Sequence, residues 1–295
     1  MKQKTCIIIA GPTASGKTDI AISVAEHYNT EIISADSRQC FKELNIGVAK
    51  PSPEQLETVP HHFINSHSIT ENISAADFEK YALRTVEEIF KTNDVAIMCG
   101  GTGLYIKAFC EGLDDIPETD AEIKKVISEK YNSFGIAWLQ DSIKNEDPVF
   151  WQKGEIQNPH RLMRALEVVR NTGKSVLAYQ QKIKKERSFN IIKVGLDVPR
   201  DILYERINTR VDKMRQAGLA DEVKALTAYQ QLNALQTVGY MELFEYFDNK
   251  ISKKKAFELI KQNTRHYAKR QMTWFKKDPE IQWMEPLLIA DTLKK

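Results

Sequence analysis

The sequence predicts an α/β fold: a parallel sheet flanked by helices, with a helical subdomain inserted between two of its strands. Three observations predict it. The apolar run Thr5 to Ala10 leads into Gly11-Pro12-Thr13-Ala14-Ser15-Gly16-Lys17-Thr18, with a helical pattern behind it. Further short apolar runs at residues 31–35, 94–99 and 191–198 are separated by helical stretches. Between residues 116 and 189 the texture turns charged and helical, with few strand-like runs. Strand, phosphate-cradling loop and helix in that order describe a P-loop NTPase-like sheet.

The loop comes first in the chain and carries the most chemistry. Gly11 and Gly16 let the backbone curl until several N–H groups point inward, while Lys17 and the helix N-terminus add positive charge. Such a loop holds a polyphosphate or a diphosphate. Behind it, Ile20, Val24 and Tyr28 repeat at four-residue spacing beside Ala21 and Ala25, the buried stripe of a helix. The run from Glu31 to Ala35 reads as a strand ending in Asp36-Ser37, and Asp94 to Cys99 as another ending in Gly100-Gly101-Thr102. In a parallel sheet with right-handed crossovers, ligands lie beyond the strand C-termini. Asp36 and Thr102 are therefore expected beside the phosphate loop. Ile191 to Val198 reads as one more central strand, followed after Pro199 by a helix from about Asp201.

The insertion is punctuated by Asp147-Pro148, Asn158-Pro159 and Asn171-Thr172-Gly173. At Asn158-Pro159, Asn caps a helix and Pro takes its first position, with His160, Arg161 and Arg164 in the opening turns and Leu162, Leu166 and Val169 on the apolar face. Near the chain's end, residues 261–277 place Arg265, Lys269 and Lys276 near one helical face, interleaved with Tyr267, Trp274 and Phe275. The first basic cluster suits a nucleic acid and equally suits a solvated helix start; the second suits RNA, but its aromatics equally suit a helix packed into the core. The core is expected over residues 1–115 and 190–295, and the inserted helical domain over 116–189.

Composition narrows the class. At 42% hydrophobic, 295 residues can bury a full core. Lys+Arg 42 against Asp+Glu 40 leaves a net charge of +2, so any RNA surface must come from local clustering. Cys6, Cys40, Cys99 and Cys110 form no Cys-x-x-Cys pair and read as free thiols of a reducing compartment. No apolar stretch approaches the ~18 residues of a membrane span. A soluble, unprocessed cytoplasmic protein is expected.

Triphosphate hydrolysis or kinase chemistry predicts an apolar strand ending in a magnesium-holding Asp, but the obvious strand ends in Cys99-Gly100-Gly101-Thr102. Asp36 suits that metal role or that of a general base for a nucleophile attacking next to the bound phosphates. Spacing alone leaves both open.

With these pieces in place, the whole chain resembles the bacterial tRNA dimethylallyltransferase (tRNA isopentenyltransferase) family. The resemblance rests on the loop at 11–18, Asp36-Ser37-Arg38-Gln39, Ile46-Gly47-Val48-Ala49-Lys50-Pro51, Pro60-His61-His62 and Ser74-Ala75-Ala76-Asp77-Phe78. It continues through Gly100-Gly101-Thr102-Gly103-Leu104-Tyr105, Asn158-Pro159-His160-Arg161-Leu162 with Arg164-Ala165-Leu166-Glu167-Val168, Gly218-Leu219 with Glu222-Val223, Gly239-Tyr240, and Lys269-Arg270-Gln271 with Thr273-Trp274. The resemblance implies transfer of a dimethylallyl group from dimethylallyl diphosphate to the exocyclic amine of the adenosine just 3′ of a tRNA anticodon, with diphosphate released and no ATP consumed.

It also implies roles for individual residues. Gly11, Thr13, Ala14, Ser15, Gly16, Lys17 and Thr18 would bind the diphosphate, with Lys17 and Arg210 or Arg206 stabilising the leaving group and Thr18 helping to hold Mg²⁺. Asp36 would be the base and Thr102 would touch the reacting adenosine. Asp36, Ser37, Arg38, Gln39 and Thr102, Lys124 in the insertion, and His160, Arg161, Leu162, Met163 and Arg164 would contact the tRNA anticodon stem-loop. The expected protein is a monomer of bacterial type, without a Cys/His cluster near its C-terminus. Alternatives are an adenylate isopentenyltransferase acting on free AMP, a small-molecule kinase, and a non-catalytic tRNA-binding homologue, the last disfavoured by the presence of Lys17, Thr18, Asp36 and Thr102.

Overall fold

The computed structural model describes residues 3–181 and 183–293. Six parallel strands form one sheet: β1 Thr5–Ala10, β2 Ile32–Ala35, β3 His61–His62, β4 Val95–Gly100, β5 Asn190–Leu196 and β6 Ile281–Met284, in the order β3-β2-β4-β1-β5-β6. Central β1 is buried from Cys6 to Ala10, because helices cover both faces of a parallel sheet and leave no side of the strand for polar residues. Ala10 stands level with Gly100 of β4 and Gly195 of β5, and Ala35 of β2 is also level with Gly100. The segments following β1, β2 and β4 therefore emerge at one edge, where Thr102 N–H donates to the Ala35 carbonyl at 3.1 Å. A side chain at Gly100 would put its Cβ 2.2 Å from that carbonyl oxygen, so this convergence requires glycine.

The helices are α1 Lys17–Tyr28, α2 Pro53–Thr58, α3 Ala75–Thr92, α4 Gly103–Glu111, α5 Ala121–Glu146, α6 Pro148–Lys153, α7 Pro159–Thr172, α8 Arg200–Gln216, α9 Leu219–Ala225, α10 Met241–Phe247, α11 Lys253–Phe275 and α12 Pro286–Leu293. α1 buries Ala21, Ile22, Val24 and Ala25, while Ile20 and Tyr28 of the anticipated stripe are only partly covered. α11 buries Ile260, Thr264, Ala268, Gln271 and Phe275, a helical stripe that carries two polar residues into the core. Phe275 belongs to that core, whereas Tyr267 and Trp274 stay partly exposed and Arg265 bonds Asn208 at 2.6 Å. Strands β3 and β6 were not anticipated. β3 is two histidines behind a proline, too short for a periodicity signal, and β6 follows α11 as a four-residue run.

The chain divides into two compact units, one built from residues up to Cys110 together with those from Glu186, the other Glu111–Lys185. The change of sequence texture predicts these borders at 116 and 189. In the second unit, Ile127, Leu139 and Ile143 of α5 pack with Phe150 of α6 and with Leu162, Ala165, Leu166 and Val168 of α7. Asn158 caps α7 by accepting from His160 N–H and Arg161 N–H, and Gly173 closes it in the left-handed conformation. Cys6, Cys40, Cys99 and Cys110 are free thiols, and no helix among the described residues is long and apolar enough to cross a membrane.

Candidate functional site

The phosphate loop owes its shape to two left-handed residues, Ala14 at φ 64° and Gly16 at φ 93°. Residues of that conformation within a turn swing successive N–H groups toward a common centre, which is how such loops bind anions. For Ala14 the conformation costs about 1–2 kcal/mol, so neighbouring groups must hold it. They come from two helices. Arg210 of α8 donates from Nη2 to Thr13 Oγ1 at 2.6 Å, and Arg206 from Nη1 to the Ser15 carbonyl at 3.4 Å. Gln271 of α11 accepts from Thr13 N–H at 2.9 Å and donates to the Gly101 carbonyl at 2.9 Å, tying the loop to the segment after β4. Gly16 precedes α1 with no side-chain cap, which leaves the first-turn N–H groups available.

Lys17 Nζ rests on the Pro12 carbonyl at 2.6 Å. Desolvation lowers its pKa to about 8, opposed by Cys99 and Asp36 and reinforced by Arg210. Burial also lowers Arg210, against the pull of Asp36. Ser15 Oγ and Arg210 Nε are buried without a partner among the described residues. Desolvated cations and orphaned donors around one loop are what an anion would satisfy.

These groups line a cavity of about 690 Å³. Its wall includes the loop from Thr13 to Thr18, Asp36, Gln39, the run Val48 to Pro51, Cys99 and Tyr267. Asp36 Oδ1 accepts from Arg38 N–H at 2.9 Å and Gln39 N–H at 3.3 Å, which fixes the carboxylate, and Oδ2 has no partner among the described residues. Cys99, next to last in β4, stands where kinase chemistry expects an aspartate. Burial pushes its thiol up to about 11, with Lys17 pulling down, so at neutral pH it carries no charge.

The other expected residues fall into three places. Thr102 and Ser37, with Arg38, line a smaller neighbouring cavity of about 260 Å³. There Thr102 Oγ1 accepts from Ser37 N–H at 3.0 Å and lies 3.3 Å from Ser37 Oγ, while Arg38 Nη1 donates to the Asn233 carbonyl. Gln39 is engaged internally, donating to the Val48 and Ala49 carbonyls. In the helical unit Lys124, His160 and Arg161 are exposed, with Arg161 3.4 Å from Glu155. Arg164 donates to Thr119 Oγ1 at 2.9 Å, and Met163 is half-buried. Leu162 departs from the expected contact set: it is wholly buried in that unit's core, so its side chain supports the helix and does not face solvent.

No local pattern in the sequence marks Cys99 as a wall residue or assigns Gln271 its role. For Gln271 a signal existed, a polar residue on the apolar stripe of α11, since a buried amide must find partners.

A family model described as IPP transferase matches residues 39–278. The tRNA dimethylallyltransferase of Christiangramia forsetii is 50% identical over 279 residues, covering 95% of this chain and 92% of that one. The corresponding protein of Cytophaga hutchinsonii is 44% identical over 96% of this chain and 93% of its own. Among solved structures, the tRNA isopentenylpyrophosphate transferase of Bacillus halodurans superposes with a TM-score of 0.71 at 34% identity, covering 99% and 95% of the two chains. A eukaryotic dimethylallyltransferase solved acting on tRNA gives 0.76 at 25% identity over 98% of this chain and 76% of its own.

Proposed function

We propose, from the premise that this chain belongs to the IPP transferase family, that it transfers a dimethylallyl group from dimethylallyl diphosphate to N6 of the adenosine 3′-adjacent to a tRNA anticodon. In the reaction the allylic C1–O bond breaks, the N6–C1 bond forms, the amine loses a proton and diphosphate leaves. The observation that carries this reading is the facing of a cationic phosphate loop and a carboxylate with one free oxygen across one cavity.

The N–H groups of the loop, Lys17 and Arg210 meet the charge that builds on the departing diphosphate, with Arg206 adding a further cation at the rim. Buried Ser15 Oγ and Arg210 Nε supply donors that a phosphate oxygen can fill. Asp36 receives the amine proton at Oδ2 while Oδ1 stays tied to the turn. Because the adenine amine's lone pair is delocalised into the ring, orientation in line with the allylic carbon matters as much as proton removal. Thr102 acts beside Asp36 by holding the turn at Ser37, and it reaches the adenosine from the neighbouring cavity.

The Thr18 hydroxyl is an oxygen donor of the kind that suits Mg²⁺, which keeps most of its waters and takes one or two protein ligands plus phosphate oxygens. Thr18 at the start of α1 would hold it, and when bound it would neutralise charge on the diphosphate. Exposed Lys124, His160 and Arg161, with Arg164, would contact tRNA phosphates from the helical unit. On this reading the protein works as a monomer in the cytoplasm.

A single-turnover assay with radiolabelled dimethylallyl diphosphate and Mg²⁺, offering unmodified tRNA and free AMP in parallel, tests the proposal. Label is expected in tRNA alone. Label in AMP would move the acceptor to a free nucleotide, and label in neither would overturn prenyl transfer.

A further inference from the structure

Residues 46–51 form a strap that regular secondary structure does not hold, yet they contribute Val48, Ala49, Lys50 and Pro51 to the large cavity's wall. The strap is fastened at three points. Gln39 Nε2 donates to the Val48 and Ala49 carbonyls, and Lys50 Nζ donates to the Phe41 carbonyl at 2.6 Å and Asn65 Oδ1 at 2.5 Å. The third fastening comes from far along the chain. Glu222 of α9 accepts from Ile46 N–H at 2.7 Å through Oε2 and from Gly47 N–H at 3.1 Å through Oε1, where Tyr240 O–H also donates at 2.6 Å. Tyr240 is among the largest wholly buried side chains, and a Cβ at Gly47 would stand 2.5 Å from its ring. Backbone, carboxylate and phenol are thus packed at contact distance. Ala49, at φ 49°, holds a left-handed conformation that only such fastening keeps in place.

Neither Glu222 nor Tyr240 lines the cavity, so they act through the strap. An allylic diphosphate presents a charged head and an apolar tail. The head has the phosphate loop, and the tail needs apolar surface outside it, of which Val48, Ala49 and Pro51 are part. We propose that Glu222 and Tyr240 are positioning residues that fix the strap at 46–51, and that the strap sets the length of allylic chain the enzyme accepts. The inference rests on the prenyl-transfer reading above.

Three donors converge on the Glu222 carboxylate. In Glu222→Gln the amide must turn its NH₂ toward at least one backbone N–H, because Tyr240 can reverse its hydrogen bond but Ile46 and Gly47 cannot. Tyr240→Phe keeps the ring against Gly47 and removes only the O–H. Val48→Ala opens the wall directly and leaves the latch intact.

The test compares kcat/KM for dimethylallyl and geranyl diphosphate, with tRNA as acceptor, in wild type and these three variants, alongside inhibition by inorganic diphosphate. A wall that rejects extra methylenes sets discrimination of tenfold or more per contact, so the preference for the shorter donor should fall by at least about tenfold in each variant. Inhibition by diphosphate should stay within about twofold, since the phosphate loop is untouched. A merely structural role would lower both donors' rates together. An unchanged donor ratio in Tyr240→Phe and Val48→Ala, both melting as wild type, overturns the inference even if Glu222→Gln fails to fold. A wild type that transfers neither chain to tRNA instead refutes the underlying prenyl-transfer reading.

Discussion

Gln271→Met tests the brace between the two halves of the site. The substitution keeps the volume and unbranched shape of the side chain and removes both hydrogen-bonding groups. It leaves Thr13 N–H and the Gly101 carbonyl without their partner at 2.9 Å. An orphaned buried polar group costs about 1–3 kcal/mol. Thr13 lines the cavity, where water can replace the amide, so its share falls near the lower end; Gly101 is buried, so its share falls near 2. The expected loss is about 3 kcal/mol, which for a domain of this size lowers the melting temperature by roughly 6–12 °C. Thermal melts with and without diphosphate measure it, and the stabilisation that diphosphate confers should shrink in the variant because Thr13 belongs to the loop. A Cβ at Gly101 would stand 2.3 Å from Gln271 Nε2, so Gly101→Ala should be less damaging in a Gln271→Ala background than in wild type. A Gln271→Met protein melting within about 2 °C of wild type, with unchanged response to diphosphate, would refute the argument.

Lys17, lowered to about 8, gives a pH dependence with a definite sign. In the empty protein the charged form is disfavoured, so the cost to the native state is complete below about 8 and is relieved as pH rises toward the ordinary lysine value of 10.5; stability melts across that window should show it, and Lys17→Met should abolish it. Diphosphate affinity should run the opposite way, declining above about 8 as the cation is lost, and Lys17→Arg should flatten that decline in calorimetric titrations. Asp36→Asn keeps the Oδ1 acceptor for Arg38 and Gln39 N–H, so tRNA and diphosphate binding should persist while turnover falls by about 10²–10⁴; near-normal turnover would remove Asp36 from proton transfer. Arg161→Ala should weaken tRNA binding and reduce the slope of log K against log salt by roughly 0.7–0.9, measured by filter binding, because its exposed contact with Glu155 holds it only weakly.

What the sequence made legible was local or followed from sheet geometry. The loop at 11–18 is contiguous, so its chemistry is written in adjacent residues, and Asp36 joins it because parallel strands bring their C-terminal ends to one edge. Long-range side-chain contacts left no such trace. Gln271 meets Thr13 across 258 positions and Glu222 meets Ile46 across 176, pairings that depend on how α9 and α11 pack. β3 escaped because strand periodicity needs more than two residues. Leu162 shows two signals in conflict. Its spacing with Leu166 places it on the apolar face of α7, while the family resemblance places it in a tRNA-contacting run; its side chain is wholly buried, and removing a leucine side chain from water contributes about 1.5–3 kcal/mol.

On the proposed reading, the end of β4 bears on how a loop of this type would serve a leaving group and not a nucleoside triphosphate's hydrolysis. An aspartate in the place of Cys99 would add a carboxylate to a cavity already lined by Asp19, Asp36 and Glu205, and would offset Lys17, which already feels Asp36. One such negative charge would repel a bound phosphate, by about 4 kcal/mol per unit of charge at about 4 Å and an effective dielectric of about 20 and by less at longer range. The neutral thiol avoids that repulsion, so that Lys17, Lys50, Arg206, Arg210 and Lys213 of the wall stand against Asp19, Asp36 and Glu205. On the proposed reading, Asp36 serves as a base through Oδ2 while the charge of a diphosphate would be met by Lys17, Arg206, Arg210 and the loop amides. On that same reading, the neutral Cys99 that weakens the kinase alternative also spares proton transfer beside a departing diphosphate one further negative charge.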